Sequence, residues 1–237
     1  MVGIGTIINT IAIIGGGILG LLFGRFISER MQDGLCKACG VATLFLGMAG
    51  ALEGMFTLTE GALHAGGTMP LIGCLCLGTA VGEALSIEDA FERFGAWLKI
   101  KTGNARDTRF IDGFVTASLT VCIGAMAIVG ALQDGLLGDY STLAAKGVLD
   151  FIIVMVMTVS MGKGCVFSAI PVAILQGSVT ALAGLLRPVM TDAALANISC
   201  VGSVLIFCVG VNLVFGKKLR VANMLPAVVF AVIAAFV

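Results

Sequence analysis

Two patterns in this sequence have the spacing of a chemical site. Cys36-x-x-Cys39 has the separation of a redox dithiol or of half a zinc site. Gly15-x-Gly17-x-x-Gly20 has the glycine spacing of a dinucleotide-binding turn. Neither has the company its chemistry needs. A structural zinc site takes about four ligands, and no second cysteine pair and no histidine lies near Cys36. The dinucleotide turn needs a strand before it and a helix opening at it, whereas these glycines sit inside an apolar run. His64 is the single histidine, in a loop expected over Thr57 to Thr68. That excludes a His-based metal cluster and a membrane-buried Ser-His-Asp triad. No nucleophile–base pair is visible. The sequence therefore predicts no catalytic residue, no metal and no cofactor, and a protein that is not an enzyme.

The informative residues are polar ones inside apolar runs, because such residues are costly in a bilayer and face a bundle interior or a cavity. They are Asn9, Thr116, Ser118, Thr120, Asp150, Ser160, Lys163, Ser168, Gln176 and Asn212. Gln176 follows Pro171 by five residues. A proline removes a backbone donor and frees carbonyls one turn earlier, so Pro171 predicts a broken span with an amide beside it. A ligand site and a Pro kink with Gln176 bonded to a neighbouring helix both fit that pattern. Thr116 and Thr120 share a helix face while Ser118 points away, and hydroxyls can bond their own helix. Lys163 is placed to attract an anion or to anchor a helix end. Asp112, Glu53 and Glu83 lie near span ends, within reach of water.

Elements that position these residues follow from composition. Of 237 residues, 59% are hydrophobic and 12% charged, with a mean hydropathy of +1.10. A soluble domain carries about 25% charged residues, so this chain cannot cover its own surface in water. Spans need about 20 apolar residues, and eight candidates appear, at 4–24, 40–56, 69–85, 110–133, 147–162, 164–186, 194–215 and 221–237. The fifth and eighth are short enough to be re-entrant. The expected fold is an all-α polytopic transmembrane bundle forming one domain over 1–237. The segment Ser86–Lys101 alternates Ile87, Phe91, Phe94 and Leu98 with charged residues, which predicts a cytoplasmic surface helix capped by Ser86. Phe26 to Cys36 fits a second such segment. Ile4 to Phe23 lacks the flanks of a cleaved signal and reads as a retained span.

Basic residues decide the orientation. With the N-terminus outside, Arg25, Arg30, Lys37, Arg93, Lys99, Lys101, Arg106, Arg109, Lys163, Lys217, Lys218 and Arg220 lie inside, leaving only Lys146 and Arg187 outside. Both termini are then non-cytoplasmic. Span four carries Cys122-x-Gly124-x5-Gly130 and span seven Cys208-x-Gly210-x5-Gly216. Spans one and three share Gly20-x3-Gly24-x3-Ser28 and Gly78-x3-Gly82-x3-Ser86. The first pair would run in opposite directions, as in inverted repeats. Gly16-x3-Gly20-x3-Gly24 and the series Ala169, Ala173, Gly177, Ala181 are ridges for close helix packing. The partners expected are the lipid bilayer, an ion or small polar solute, and further copies of the chain through Gly-rich faces. The net charge is zero, so no nucleic acid is implied. Most cysteines lie in apolar runs, which argues against a disulfide framework.

Gly113-Phe-Val-Thr-Ala-Ser118, Gln133-Asp-Gly135, Gly138-Asp-Tyr-Ser141, Lys146 to Asp150, Ser168-Ala-Ile-Pro171, Gln176-Gly177 and Val221-Ala-Asn-Met-Leu-Pro226 form a distinctive set. Together they resemble the YqgA-like family of bacterial inner-membrane proteins, over essentially the whole chain. The resemblance implies a bacterial inner-membrane location and a transport role, with no established substrate. The leading expectation is a transporter or channel for an ion or small polar solute. The alternatives are a non-transporting scaffold or partner-binding protein, and, less favoured, an intramembrane enzyme acting on a lipid-linked substrate.

Overall fold

The run Ile4–Gly24 is polar only at Thr6, Asn9 and Thr10, and it forms one uninterrupted helix, α1 (Ile4–Gly24, 21 residues). At about 1.5 Å per residue it is about as long as the hydrocarbon core is thick. The computed structural model describes residues 2–24, 26–59, 62–66, 68–123 and 125–236. Arg25 and Gly124, cited above for orientation and for the repeat, lie outside the described residues, as does the His64 side chain.

After α1 come α2 (Glu29–Met55), the strands β1 (Phe56–Thr59) and β2 (Ala62–Ala65), α3 (Thr68–Leu85) and α4 (Ile87–Lys101). Then follow α5 (Phe110–Cys122), α6 (Ala125–Leu137), α7 (Ser141–Met161), a 3-10 helix (Lys163–Ser168), α8 (Ala169–Ala181) and α9 (Ala183–Leu186). The chain closes with α10 (Asp192–Phe215), a second 3-10 helix (Val221–Met224) and α11 (Pro226–Ile233). Among the described residues, six helical segments are long and apolar enough to cross a membrane, and a seventh if α5 and α6, bent by 61°, form one span. Val221–Ile233 is apolar but shorter. Counting α5 and α6 as one, seven of the eight expected spans thus have a counterpart of that length, while the eighth, 221–237, holds only the shorter helix, in an all-α membrane fold.

Four expectations need correction. The loop containing His64 is an antiparallel hairpin, with Thr57 opposite His64. The segment after span one is no separate surface helix, because α2 runs unbroken from Glu29. The fifth span is not short: α7 has 21 residues and begins before Lys146. Ser86 has φ +50 and marks the bend between α3 and α4. The Glu88 N–H near the start of α4 goes to Asn223 Oδ1 at 2.7 Å.

By contact the chain divides into two units. The first comprises Met1–Cys39, Asp89–Cys122 and Met126–Leu186. Its frame is α1 against α7. A Cβ on Gly5 would sit 2.8 Å from Leu143 Cδ1, and one on Gly16 or Gly20 would collide with the carbonyl oxygens of Phe151 or Met155. The contacts advance together along both helices, Gly5 with Leu143, Gly16 with Phe151 and Gly20 with Met155, so α1 and α7 are parallel. Against α8 they run in opposite order, Thr6 with Thr180 and Asn9 with Gln176, so α1 and α8 are antiparallel. Helix α8 therefore runs opposite to both α1 and α7. In bilayers small residues permit such backbone approach.

The second unit comprises Gly40–Glu88, Ile123–Ala125 and Arg187–Val237. Gly40 meets Leu213 and Gly54 meets Cys200, which makes α2 and α10 antiparallel. Gly82 and Gly78 of α3 lie against the backbone of Asn223 and Ala227. Glu88 is nearly fully buried and accepts from Lys217 Nζ at 2.8 Å and from the Ala222 N–H at 3.3 Å.

One local device occurs in each unit. Helix α7 ends on Gly162 (φ 86) and α10 on Gly216 (φ 78), a conformation that disfavours side chains. A lysine follows each, then a 3-10 helix, then a helix with proline in its first turn, Pro171 or Pro226.

The glycine seats are testable. Gly16→Ala and Gly20→Ala should each destabilise the protein by about 1–3 kcal/mol through overpacking. Gly15→Ala, with its nearest contact at 3.6 Å, and Gly177→Ala, with open space, should be neutral or slightly stabilising. Thermal unfolding of the purified variants in detergent separates the two classes, and equal melting temperatures would contradict the packing described.

Candidate functional site

Helix periodicity places residues four apart on one face, and three helices of the first unit bring polar residues inward at that spacing. On α7 the series is Lys146, Asp150, Val154, Thr158; on the 3-10 helix and α8 it is Ser168, Val172, Gln176, Thr180; all eight are buried. On α1 it is Asn9, Ile13, Gly17, with Thr6 one turn earlier. The Asn9 amide donates through Nδ2 to Gln176 Oε1 at 3.2 Å, and the Thr6 and Thr180 hydroxyls lie 3.5 Å apart. Asn9 also approaches the Asp150 carboxylate. One turn toward the C-terminal end of α1, the same faces carry Ile13, Val154 and Val172, each fully buried.

Four buried polar atoms lack a hydrogen-bond partner among the described residues: Asn9 Oδ1, Gln176 Nε2, Thr158 Oγ1 and Ser168 Oγ. The Cys165 thiol lies beside the Thr158 hydroxyl. Buried polar groups are nearly always paired. All four exceptions fall on this one set of faces.

The bend between α5 and α6 supplies the next feature. The last carbonyls of a helix have no intrahelical partner and carry the negative end of its dipole. Lys146 Nζ donates to the Val121 carbonyl at 2.9 Å and to Asp150 Oδ2. The Lys146 and Asp150 side chains are only 8% and 4% exposed. Lysine preceding an acid by four residues is the less favourable order for a helix pair, and a buried ion pair is weak evidence for stability. Helix propensity does not explain this pair.

At the start of α1, Asp134 of α6 accepts from the Gly3 N–H at 3.1 Å and the Gly5 N–H at 3.0 Å. A carboxylate at a helix N-terminus satisfies donors that would otherwise be orphaned. Thr180 donates to the Ala131 carbonyl at 3.2 Å, and Thr142 to Gln133 Oε1 at 2.6 Å. In the adjoining loop, the Ser141 N–H and hydroxyl hold the Asp139 carboxyl below the usual carboxylate range.

Where α1 and α7 end, a cleft of about 320 Å³ opens, lined by Gly20, Gly24, Gln32, Asp107, Arg109 and Thr158 to Lys163, among others. Arg109 Nη1 donates to the Ser160 carbonyl at 3.3 Å, and Lys163 Nζ to Asn104 Oδ1 at 3.3 Å. Thr158 joins this cleft to the buried faces above it.

Of the residues expected at a site, Asn9, Asp150, Ser168 and Gln176 share the buried faces, while Ser160 and Lys163 border the cleft. Thr116, Ser118 and Thr120 lie on α5, outside those faces. Ser118 donates to the Phe114 carbonyl at 2.6 Å and Thr120 to the Thr116 carbonyl at 2.8 Å, both within α5. Asn212 belongs to the second unit. Its Oδ1 accepts from the N–H groups of Lys218 and Leu219, and its Nδ2 donates to the Leu219 carbonyl, which fastens its own loop. Pro171 is the third residue of α8, where a proline is tolerated, and the ninth of the 19-residue span Lys163–Ala181, whose irregular backbone is the 3-10 helix just before it. Sequence reasoning placed Lys146 outside and passed over Asp134. The i,i+4 spacing of Lys146 and Asp150 was the available signal. Among the described residues no group of three or more His, Cys, Asp or Glu side chains is placed to hold a metal.

The ion pair predicts an asymmetric response. Asp150→Ala leaves the Lys146 ammonium buried against one carbonyl and should cost about 3–5 kcal/mol. Adding Lys146→Met should recover much of that loss. A double variant no more stable than Asp150→Ala in chemical or thermal unfolding would show that the pair is not coupled.

Comparison with known proteins places this chain. A family model described as "Protein of unknown function (DUF554)" matches residues 4–236. The "Uncharacterized membrane protein YdfK" of Bacillus subtilis (strain 168) is 28% identical over 98% of this chain and 96% of its own length. The "Uncharacterized protein YqgA" of Escherichia coli (strain K12) is 29% identical over 96% and 94%. No solved structure matches significantly. The chain is a membrane protein with several apolar helices, and it belongs to the DUF554 family.

Proposed function

We propose that this protein is a transporter or channel that moves a small polar solute or ion along the buried faces of α1, α7 and α8. The observation that carries this reading is the placement of all four unpartnered buried polar atoms on those faces and the 3-10 helix that leads into α8. Atoms of this kind, one an amide acceptor and one an amide donor from a hydrogen-bonded Asn9–Gln176 pair, suit a solute with both donors and acceptors. Ile13, Val154 and Val172 close the route one turn away from that pair. The cleft at Thr158 leads toward them from the end rich in basic residues, so this state opens toward the cytoplasm. The proposal includes a bacterial inner-membrane location with both termini outside. The parallel course of α1 and α7 supports the helix directions on which that orientation depends. The glycine ridges of α1, α2 and α3 are used inside each unit, which favours transport over a scaffold that offers such ridges to partners.

Thermal stability across a panel of ions, amino acids, organic acids and nucleobases tests this reading, because a ligand that binds only the folded state raises the melting temperature. A saturable shift is expected for one solute class. Asn9→Ala and Gln176→Ala should each weaken it about tenfold or more, the scale of a lost buried hydrogen bond. In proteoliposomes, Val172→Ala should speed flux of the same solute. A panel without any shift, or a shift indifferent to both amide variants, would overturn the proposed route.

A further inference from the structure

We propose that Asp150, the Val121 carbonyl and Asn9 form a site for a sodium-type monovalent cation, and that the Lys146 ammonium occupies this site in the present conformation. The use of the site in coupling rests on the transport reading above, while the binding itself does not. Two oxygens from two helices already converge on one positive charge: Asp150 Oδ2 from α7 and the Val121 carbonyl from the end of α5. A third oxygen without a partner, Asn9 Oδ1, belongs to a residue with 0% exposure and faces α7 at Gly147, between Lys146 and Asp150, 3.6 Å from where a Cβ on that glycine would sit. A carboxylate and carbonyl-type oxygens are the ligands of a hard cation, and carbonyls at the broken end of a span are a recurrent place for one in transporters.

The charge balance selects the valence. With Lys146 in place, the Asp150 carboxylate has one positive charge opposite it. A monovalent ion that replaces the ammonium keeps the site neutral, whereas a divalent ion leaves an unpaired charge in an apolar surrounding. The lysine has somewhere to go. Lys146 is the sixth residue of α7, and Thr142 with Gln133 lies one turn toward the start of that helix. Its flexible stem can carry the ammonium toward the membrane surface. Lysine and cation would then take turns at one position, which ties the side chain's position to the presence of the ion.

Among the described residues, the charged and titratable groups facing Asp150 are Lys146 on its own helix and Cys122 on α5, while α1 contributes the neutral Asn9. Two oxygens from two helices on one charge, with a third facing the same stretch of α7, suit a coordinated ion, since a proton needs only one.

The test compares melting temperatures of the purified full-length protein in sodium, potassium and choline chloride at equal ionic strength and pH 8. The wild type should respond weakly, because its lysine fills the site. Lys146→Gln should melt lower in choline and rise saturably in sodium by about 5 °C or more, and Lys146→Gln with Asp150→Asn should be flat. If Lys146→Gln cannot be purified, Asn9→Asp keeps the lysine and adds a second carboxylate, and should gain the same sodium response. A flat sodium response in Lys146→Gln, or in Asn9→Asp when it stands in, overturns the proposal. So does a stabilisation of Lys146→Gln that depends on lowering pH to 6 and is equal in sodium and choline, which would mean protonation of Asp150. A flat sodium response with the solute shift intact removes only the cation site. A sodium response with no solute shift removes only the transport route.

Discussion

Gly16 and Gly20 let α1 approach α7 until backbone touches backbone, at the carbonyls of Phe151 and Met155. Lipid tails are as apolar as leucine, so no hydrophobic force of the aqueous kind draws these helices together. Close contact of small residues does that work, and it fixes more than a distance. A glycine seated on a carbonyl has one good register. That register brings Asn9 beside Gly147 and toward Asp150, and it sets α8 so that Gln176 meets Asn9. The polar faces of this unit are aligned because glycines elsewhere on α1 leave no other way to pack.

Much of the helical plan was legible in the sequence, for a simple reason. A bilayer span must be long and apolar, and α1, α3 and α10 are both, with bounds close to those expected. The reading failed where a local rule had two outcomes. Lys146 looked like a loop residue because a lone charge is excluded from hydrocarbon, but Asp150 and the Val121 carbonyl neutralise it and α7 starts earlier. Pro171 looked like a break in mid-helix, and the irregularity is instead a change from 3-10 to α helix just before it, which seats the proline in the first turn of α8. Ser86 looked like a cap, yet its backbone is in the left-handed region and Asn223 supplies the acceptor.

The site was legible in half. Asn9, Asp150, Ser168 and Gln176 were found by asking which polar residues a membrane would not tolerate idle. The same question also selected Ser118 and Thr120, whose hydroxyls bond carbonyls of their own helix. It selected Asn212 as well, whose amide secures a loop. Only side-chain geometry separates a satisfied polar residue from one with an unused donor or acceptor. Asp134 was missed because its partners are backbone N–H groups about 130 residues earlier in the chain, and no sequence pattern marks them.

The placement of Lys146 and Asp150 on one helix has a consequence for how the chain is made. A newly synthesised span leaves the insertion machinery before its tertiary neighbours are in place, and a lysine or an aspartate near its centre costs about 2.5–3.5 kcal/mol at that moment. Had the two charges been on different helices, each would have met the lipid alone. One turn apart on α7, they can neutralise each other as soon as that segment is helical. The helix can thus enter the bilayer by itself, with its charged pair already assembled before α1, α5 and α8 close around it.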